Sequence, residues 1–378
     1  MNGRQALGRA RRVVVKVGSG LVTAAGHGPD ARRIGALAED IAALVRDRRE
    51  VTLVSSGAIA TGMAKLGLAN RPRSIPEKQA AAAVGQSALM WQYEQAFGKH
   101  GLTVGQVLLT GQDISDRSRY LNARNTLLTL LHLGVVPVVN ENDTVAVEEI
   151  KVGDNDNLAA LVGHLIDADL VVLLTDVKGL YTADPGRDPE ARRLDTVEAV
   201  TGDLQRLVYE GSSNVSVGGM GTKLEAAAKT TTSGIPLVIA SGEEPRVLQR
   251  LLRGEDLGTH FLPREDRLKA RKRWIAFAVP LQGRLTVDAG AARALTERAT
   301  SLLPSGLVDV DGDFPAGAVV GVADPAGAEF ARGLVNYDAG ELRRLRGVKT
   351  REIEATIGYK GLDEVIHRDN LAILSVLG

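Results

Sequence analysis

Short apolar, β-branched runs punctuate the first two thirds of the chain, and each is followed by a stretch with helical spacing. Val13-Val14-Val15-Lys16-Val17 predicts a strand, and residues 31–48 predict an amphipathic helix ending in charge. Val51-Thr52-Leu53-Val54 predicts the next strand, with alanine-rich helical stretches at about 56–67 and 77–98 behind it. Val104 to Leu109, Val135 to Val139 and Leu170 to Leu174 predict further strands, and 118–133 and 155–167 further helices. A helix starts near Thr222, and Ile235 to Ile239 closes the series. Continuous apolar strands that alternate with helices indicate an α/β fold: an open, mainly parallel sheet sandwiched by helices. The pattern then changes. Arg264 to Arg273 is charged and has no strand character. Beyond it come short runs with Gly and Pro turns: Trp274 to Val279, Leu285 to Val287, Leu307 to Val310, Ala318 to Val322 and Phe330 to Val335. They predict a small β-rich domain. The expected organisation is a large domain over 1–258, a linker over 259–273 and a second domain over 274–378, which suits a chain of 378 residues.

Polar residues fall at the carboxyl ends of the predicted strands. Gly18-Ser19-Gly20 follows the first, Ser55-Ser56-Gly57 the second, Thr110 the third, Asn140 the fourth and Thr175-Asp176 the fifth. Strands of one parallel sheet have their carboxyl ends on one edge, where open α/β sheets bind ligands. Turn-making explains any one of these sites and explains the set less well. The densest cluster is Asn140-Glu141-Asn142-Asp143, followed by Gly153-Asp154-Asn155-Asp156-Asn157. Such residues are poor formers of strands and helix interiors, so they predict a loop after a buried strand, with the second cluster opening a helix. Two lysines stand out. Lys16 interrupts an apolar strand, and a buried ammonium needs a counter-charge. Lys223 follows Gly218-Gly219-Met220-Gly221-Thr222 at a helix start, where backbone N–H groups and the helix dipole favour a phosphate. A solvated lysine on a flexible loop is the bland alternative for Lys223.

Composition narrows the chemistry. Lys+Arg and Asp+Glu balance at 46 each, so no net charge draws the molecule to nucleic acid or membrane. There is no cysteine, which excludes disulfides, a zinc ribbon and a thiol nucleophile. The six histidines have no metal-ligand spacing. No apolar run reaches membrane-span length and no signal-peptide core opens the chain, so the expected location is the cytoplasm. Walker-type, dinucleotide, protein-kinase and nucleophile-elbow motifs are all absent.

These motifs resemble those of the glutamate 5-kinases, a branch of the amino acid kinase family. The resemblance is carried by Val14-Val15-Lys16-Val17-Gly18, Val54-Ser55-Ser56-Gly57-Ala58-Ile59-Ala60, Asn140-Glu141-Asn142-Asp143 and Lys151-Val152-Gly153-Asp154-Asn155-Asp156-Asn157. Leu174-Thr175-Asp176, Gly179 to Pro185 and Gly218 to Lys223 extend it, and it runs in order along nearly the whole chain, ending in a part similar to a PUA domain. It departs at Gly18-Ser19-Gly20, where the family often has Gly-Thr-Ser. The resemblance implies an ATP- and Mg²⁺-dependent phosphorylation of the γ-carboxylate of L-glutamate, opening proline biosynthesis under feedback by proline. It implies Lys16, Lys223 and Asp156 as catalytic residues and Ser56, Gly57, Asp143 and Asn155 as substrate-binding residues. It implies Lys16, Thr175, Asp176, Val217, Gly218, Gly219, Met220, Gly221, Thr222 and Lys223 for ATP. It leaves the protein ligands of Mg²⁺ unnamed and implies a homo-oligomer.

Three other functions compete. A sibling kinase would act on aspartate, N-acetylglutamate or uridylate. RNA binding through the PUA-like part is suggested by Arg271-Lys272-Arg273 beside Trp274, although a charged linker is more often simply solvated. Aromatic residues make up only 3% of the chain, which leaves few platforms for bases. A structural or regulatory role for the C-terminal domain is the third.

Overall fold

Alternation along the strands sorts the valines and leucines of the large domain between two faces. In β1 (Arg12–Val17), Val13, Val15 and Val17 enter one hydrophobic cluster and Val14 the other. In β5 (Leu170–Thr175), Leu170, Val172 and Leu174 enter the first cluster and Val171 and Leu173 the second. A sheet buried on both faces needs helices on both, and the sequence supplies them with explicit start signals. Helix α1 (Ala31–Arg46) begins where the Asp30 carboxylate accepts from the Arg32 and Arg33 amides. Helix α3 (Ile75–Gly98) begins with a Ser74/Glu77 capping box and a proline in its first turn. The remaining elements around the site are β2 (Glu50–Ser55), α2 (Ala58–Lys65), β3 (Val104–Leu109), α4 (Arg117–His132), β4 (Val136–Glu141), α5 (Asn155–Leu165), β6 (Thr196–Val197), α6 (Met220–Thr232), β7 (Leu237–Ser241) and β8 (Thr259–Phe261).

The computed structural model describes residues 3–24, 28–70, 72, 74–145, 155–202, 204, 219–264, 272, 275–276, 281–359 and 361–374. The large sheet runs β3-β4-β2-β1-β5-β7-β8-β6. Every pairing from β3 across to β7 is parallel, and β8 runs antiparallel to β7. From β1 the chain builds outward on one side through β2, β4 and β3, and on the other through β5 and β7. The order therefore reverses between β1 and β5, and the crevice beyond their carboxyl ends is where such sheets take ligands.

The chain forms two compact units, 1–264 and 265–378. Residues 259–261, read from sequence as the start of the linker, are β8 of the large sheet. The strand is three residues long and carries a histidine at its centre, so no apolar run announced it. The strand expected over Ile235 to Ile239 lies two residues later, because Gly234 turns at φ +77 before Pro236 admits the chain to the ladder. The second unit holds a five-stranded sheet of Arg284–Val287, Leu307–Asp311, Val319–Ala323, Glu329–Leu334 and Leu371–Ile373, plus helices at Ala289–Arg298 and Ala339–Leu345 that strand-pattern reading did not find. Most of the strand expected over Trp274 to Val279, and of the basic stretch before it, lies outside the described residues. Among the described residues no helix is long and apolar enough to cross a membrane.

Candidate active site

Strand alternation decides where Lys16 points. It lies two residues from Val14 and shares its face, the one covered by α5 and α6 through Leu158, Ala159, Leu224 and Ala226. Asp156 stands in the first turn of α5, where a carboxylate suits the helix dipole, and it is fully buried. Lys223 stands in the first turns of α6, an unfavourable place for a cation unless it is paired. Asp156 supplies that pairing. Lys16 Nζ lies 2.5 Å from Asp156 Oδ1 and Lys223 Nζ lies 3.2 Å from Asp156 Oδ2. The Thr222 hydroxyl lies 2.9 Å from the same Oδ2 and 2.8 Å from the Gly219 carbonyl oxygen.

Both lysines are only 5% exposed. Burial alone would push the Asp156 carboxyl above its ordinary range. The Lys16 and Lys223 ammonium groups, with hydrogen bonds from Lys16 and Thr222, outweigh burial and hold it below that range. Two ammonium groups from distant parts of the chain thus share one buried carboxylate beside the carboxyl end of β1.

Beside this triad lies a polar relay. Asn155 Nδ2 donates to Ser56 Oγ at 2.7 Å, to Asn140 Oδ1 at 3.0 Å and to the Ser55 carbonyl at 3.2 Å. Asn140 Oδ1 also accepts from the Glu141 amide, and Asn140 Nδ2 donates to Gln86 Oε1 on α3, each at 2.9 Å. Gly57 opens α2 with φ +107, and a Cβ there would meet Val22 and Thr23 at 3.1 and 3.2 Å. No other residue type suits that turn. Asp143 sits half-buried in the turn after β4.

At the end of β5 the Thr175 hydroxyl donates to Asp176 at 2.9 Å. Gly219 caps α6 without a side-chain hydrogen bond, so the first-turn N–H groups of Met220 and Gly221 are left to backbone or ligand. Gly20 has open space where a side chain would stand, so its missing hydroxyl reflects no steric conflict. Of the expected site residues, Val217 and Gly218 lie outside the described residues. Lys16, Asp156 and Lys223 come together, as do Ser56 and Asn155.

Sequence reading missed part of the site. It put Asn140 on a loop, whereas Asn140 is the penultimate residue of β4 and 3% exposed. It overlooked Gln86 and also Tyr93, whose hydroxyl meets Ser55 Oγ at 2.7 Å. It overlooked the pin between α5 and α6, in which Lys229 Nζ donates to Asn157 Oδ1 at 2.6 Å. Nothing in an alanine-rich helix singles out Gln86. A buried polar residue at the end of an apolar strand is a readable signal for Asn140.

Comparison with known proteins agrees with the geometry. Residues 11–241 match the amino acid kinase family and residues 283–357 match the PUA domain. The glutamate 5-kinase of Moorella thermoacetica is 53% identical over 371 residues, covering 98% of each chain. That of Myxococcus xanthus is 54% identical over 372 residues, again covering 98% of each. That of Citrifermentans bemidjiense is 50% identical over 371 residues, covering 98% of this chain and all of the relative. The chain therefore belongs to the amino acid kinase family.

Proposed function

We propose that this chain transfers the γ-phosphoryl group of ATP to the γ-carboxylate of L-glutamate, giving ADP and L-glutamyl 5-phosphate, the first committed step toward proline. The observation that carries this reading is the sharing of one buried carboxylate, Asp156, by two buried ammonium groups from distant parts of the chain. The near full-length relatives named glutamate 5-kinase support the choice of acceptor.

The chemistry matches this equipment. A carboxylate nucleophile has an ordinary pKa near ~4.3 and is ionised at neutral pH, so it needs no general base. One carboxylate oxygen forms a bond to the γ-phosphorus while the bond from that phosphorus to the bridging oxygen of ADP breaks, and no proton moves. The obstacle is repulsion between anions. At an effective dielectric near ~20, two unit charges ~4 Å apart interact by about 4 kcal/mol. Lys16 and Lys223 offset that term at the transferring oxygens, and Asp156 holds the two ammonium groups in place without taking a proton. The first turn of α6, with Thr175 and Asp176 at the end of β5, receives the nucleotide.

Among the described residues no group of three or more His, Cys, Asp or Glu comes together as a metal cage. A Mg²⁺ ion brought with ATP would lower the charge on the phosphate oxygens. On the acceptor side, Ser56 and Asn155 present hydrogen-bonding groups, Asp143 suits the α-ammonium and Gly57 lets backbone approach. Proline, which resembles the amino-acid end of glutamate, is expected to compete there.

ADP release measured across L-glutamate, L-aspartate, N-acetyl-L-glutamate and UMP tests the acceptor, with hydroxylamine trapping the acyl phosphate. L-Glutamate should give the highest kcat/KM and a hydroxamate product. Turnover confined to another acceptor refutes the assignment.

A further inference from the structure

Gln86 lies on α3, the helix that also sets the Tyr93 hydroxyl against Ser55, and it ends the relay built around Asn155. Its position is fixed by a close crossing of two helices. A Cβ on Gly85 would fall 1.8 Å from the Ala58 carbonyl oxygen, and one on Gly62 would fall 1.7 Å from the Ala81 carbonyl oxygen. The backbones of α2 and α3 are therefore in direct contact one residue before Gln86. Because α2 follows immediately on Ser56 and Gly57, this contact locks Gln86 to the substrate loop.

The relay has a defined polarity. The Glu141 amide can only donate and the Ser55 carbonyl can only accept, so they fix which end of the Asn140 and Asn155 carboxamides faces which way. Asn140 Nδ2 is thereby turned toward α3, where Gln86 Oε1 accepts from it at 2.9 Å. Asn155 spends its amide hydrogens inward on Ser55, Ser56 and Asn140. Its Oδ1 is left buried with no hydrogen-bond partner among the described residues. A buried acceptor without a donor is costly until a ligand supplies one. Ser56 Oγ accepts from Asn155, and among the described residues no acceptor takes its own hydrogen.

We propose that Gln86 is a positioning residue for the amino-acid site: by accepting from Asn140 it keeps the relay oriented so that Asn155 Oδ1 meets the α-ammonium of the substrate while the Ser56 hydroxyl donates to a carboxylate. This rests on the glutamate assignment above and adds, beside Asp143, a second acceptor for the ammonium and the residue that aims it. Without the Gln86 acceptor, the buried Asn140 amide has an unpaired donor and turns away from Asn155. The site then loses its preference for a ligand that carries an ammonium.

The test compares L-glutamate with glutarate, which has the same chain and carboxylates but no ammonium. Gln86→Met keeps the volume and removes the acceptor. Its KM for glutamate should rise about ten-fold, with kcat and the KM for ATP near wild type, and the glutamate-to-glutarate ratio of kcat/KM should fall by a similar factor. Gln86→Glu keeps an acceptor and should hold that ratio at or above the wild-type value. The wild-type enzyme is assayed first, and failure to phosphorylate glutamate overturns the function rather than the role of Gln86. If glutamate is the substrate and Gln86→Met leaves the ratio unchanged, Gln86 does not aim the relay. A fall in thermal stability and kcat together, with the ratio preserved, makes Gln86 a packing residue and also overturns the proposal.

Discussion

At the scale of single residues, the site is a small set of ionised and amide groups whose positions follow from local rules. Lys16 was legible from sequence because a charged residue in an apolar strand demands a partner. Its partner Asp156 followed only from the family resemblance, since the pairing depends on which helix covers that face of the sheet. Asp156→Asn removes the counter-charge that the two buried ammonium groups share. It should lower unfolding free energy by roughly 3–5 kcal/mol in denaturant titrations and abolish turnover. Asp156 itself has a lowered pKa, so its contribution is present above the ordinary carboxylate range and is lost only as pH falls through the lowered value. It gives no pH dependence near neutrality. His260 behaves differently. It is 2% exposed, and neither ring nitrogen has a hydrogen-bond partner among the described residues. Burial first, and the neighbouring Arg4 cation second, pull its pKa down to about 4. The folded protein keeps it neutral while the unfolded chain takes up a proton near pH ~6.5. Its share of stability is therefore complete above that pH and is lost as pH falls toward about 4. Between pH ~7 and ~5 this amounts to about 2 kcal/mol, and in His260→Leu that part of the acid sensitivity should vanish from urea midpoints.

At the scale of elements, long periodic segments were read well and short or contextual ones were not. The helices and strands around the crevice were found because each buries a continuous apolar run or stripe. β6 and β8 were missed because two- and three-residue strands carry no period. The α2–α3 crossing was missed for another reason: alanine-rich helices signal propensity but do not say which glycines touch a neighbouring backbone. Gly85→Ala gains helix propensity of about 1 kcal/mol but must displace α2. A net loss of roughly 1–3 kcal/mol in unfolding free energy is expected, with a raised KM for glutamate because Gln86 and the Ser56 loop move with the helices. A variant as stable and active as wild type would show that the two helices separate freely.

At the scale of the whole molecule, the division into two units was legible from the change in pattern, but its position was not. Residues read as the start of the linker complete a sheet. A chain ending at Arg264 retains β8, whereas one ending at Gly258 removes it and takes from β6 its partner in the sheet. The longer truncation product should fold cooperatively and keep glutamate-dependent ADP release. The shorter should aggregate or melt at lower temperature, which circular dichroism melts will read. Equal behaviour of the two would mean that β8 adds nothing to the large unit. Proline inhibition, measured in the full chain and in the product ending at Arg264, separates a regulatory C-terminal unit from a structural one. If proline competes at the amino-acid site, its inhibition constant should be similar in both.

The most direct measurement is single-turnover formation of the acyl phosphate by Lys16→Ala, Lys223→Ala and the double variant, with both substrates saturating and folding checked by melting temperature. Each single change should slow phosphoryl transfer by about a hundred- to a thousand-fold, and the double variant should be slower by less than the product of the two, because both ammonium groups act on the same oxygens. A folded single variant that transfers the group at near wild-type rate would contradict their convergence on the phosphoryl group.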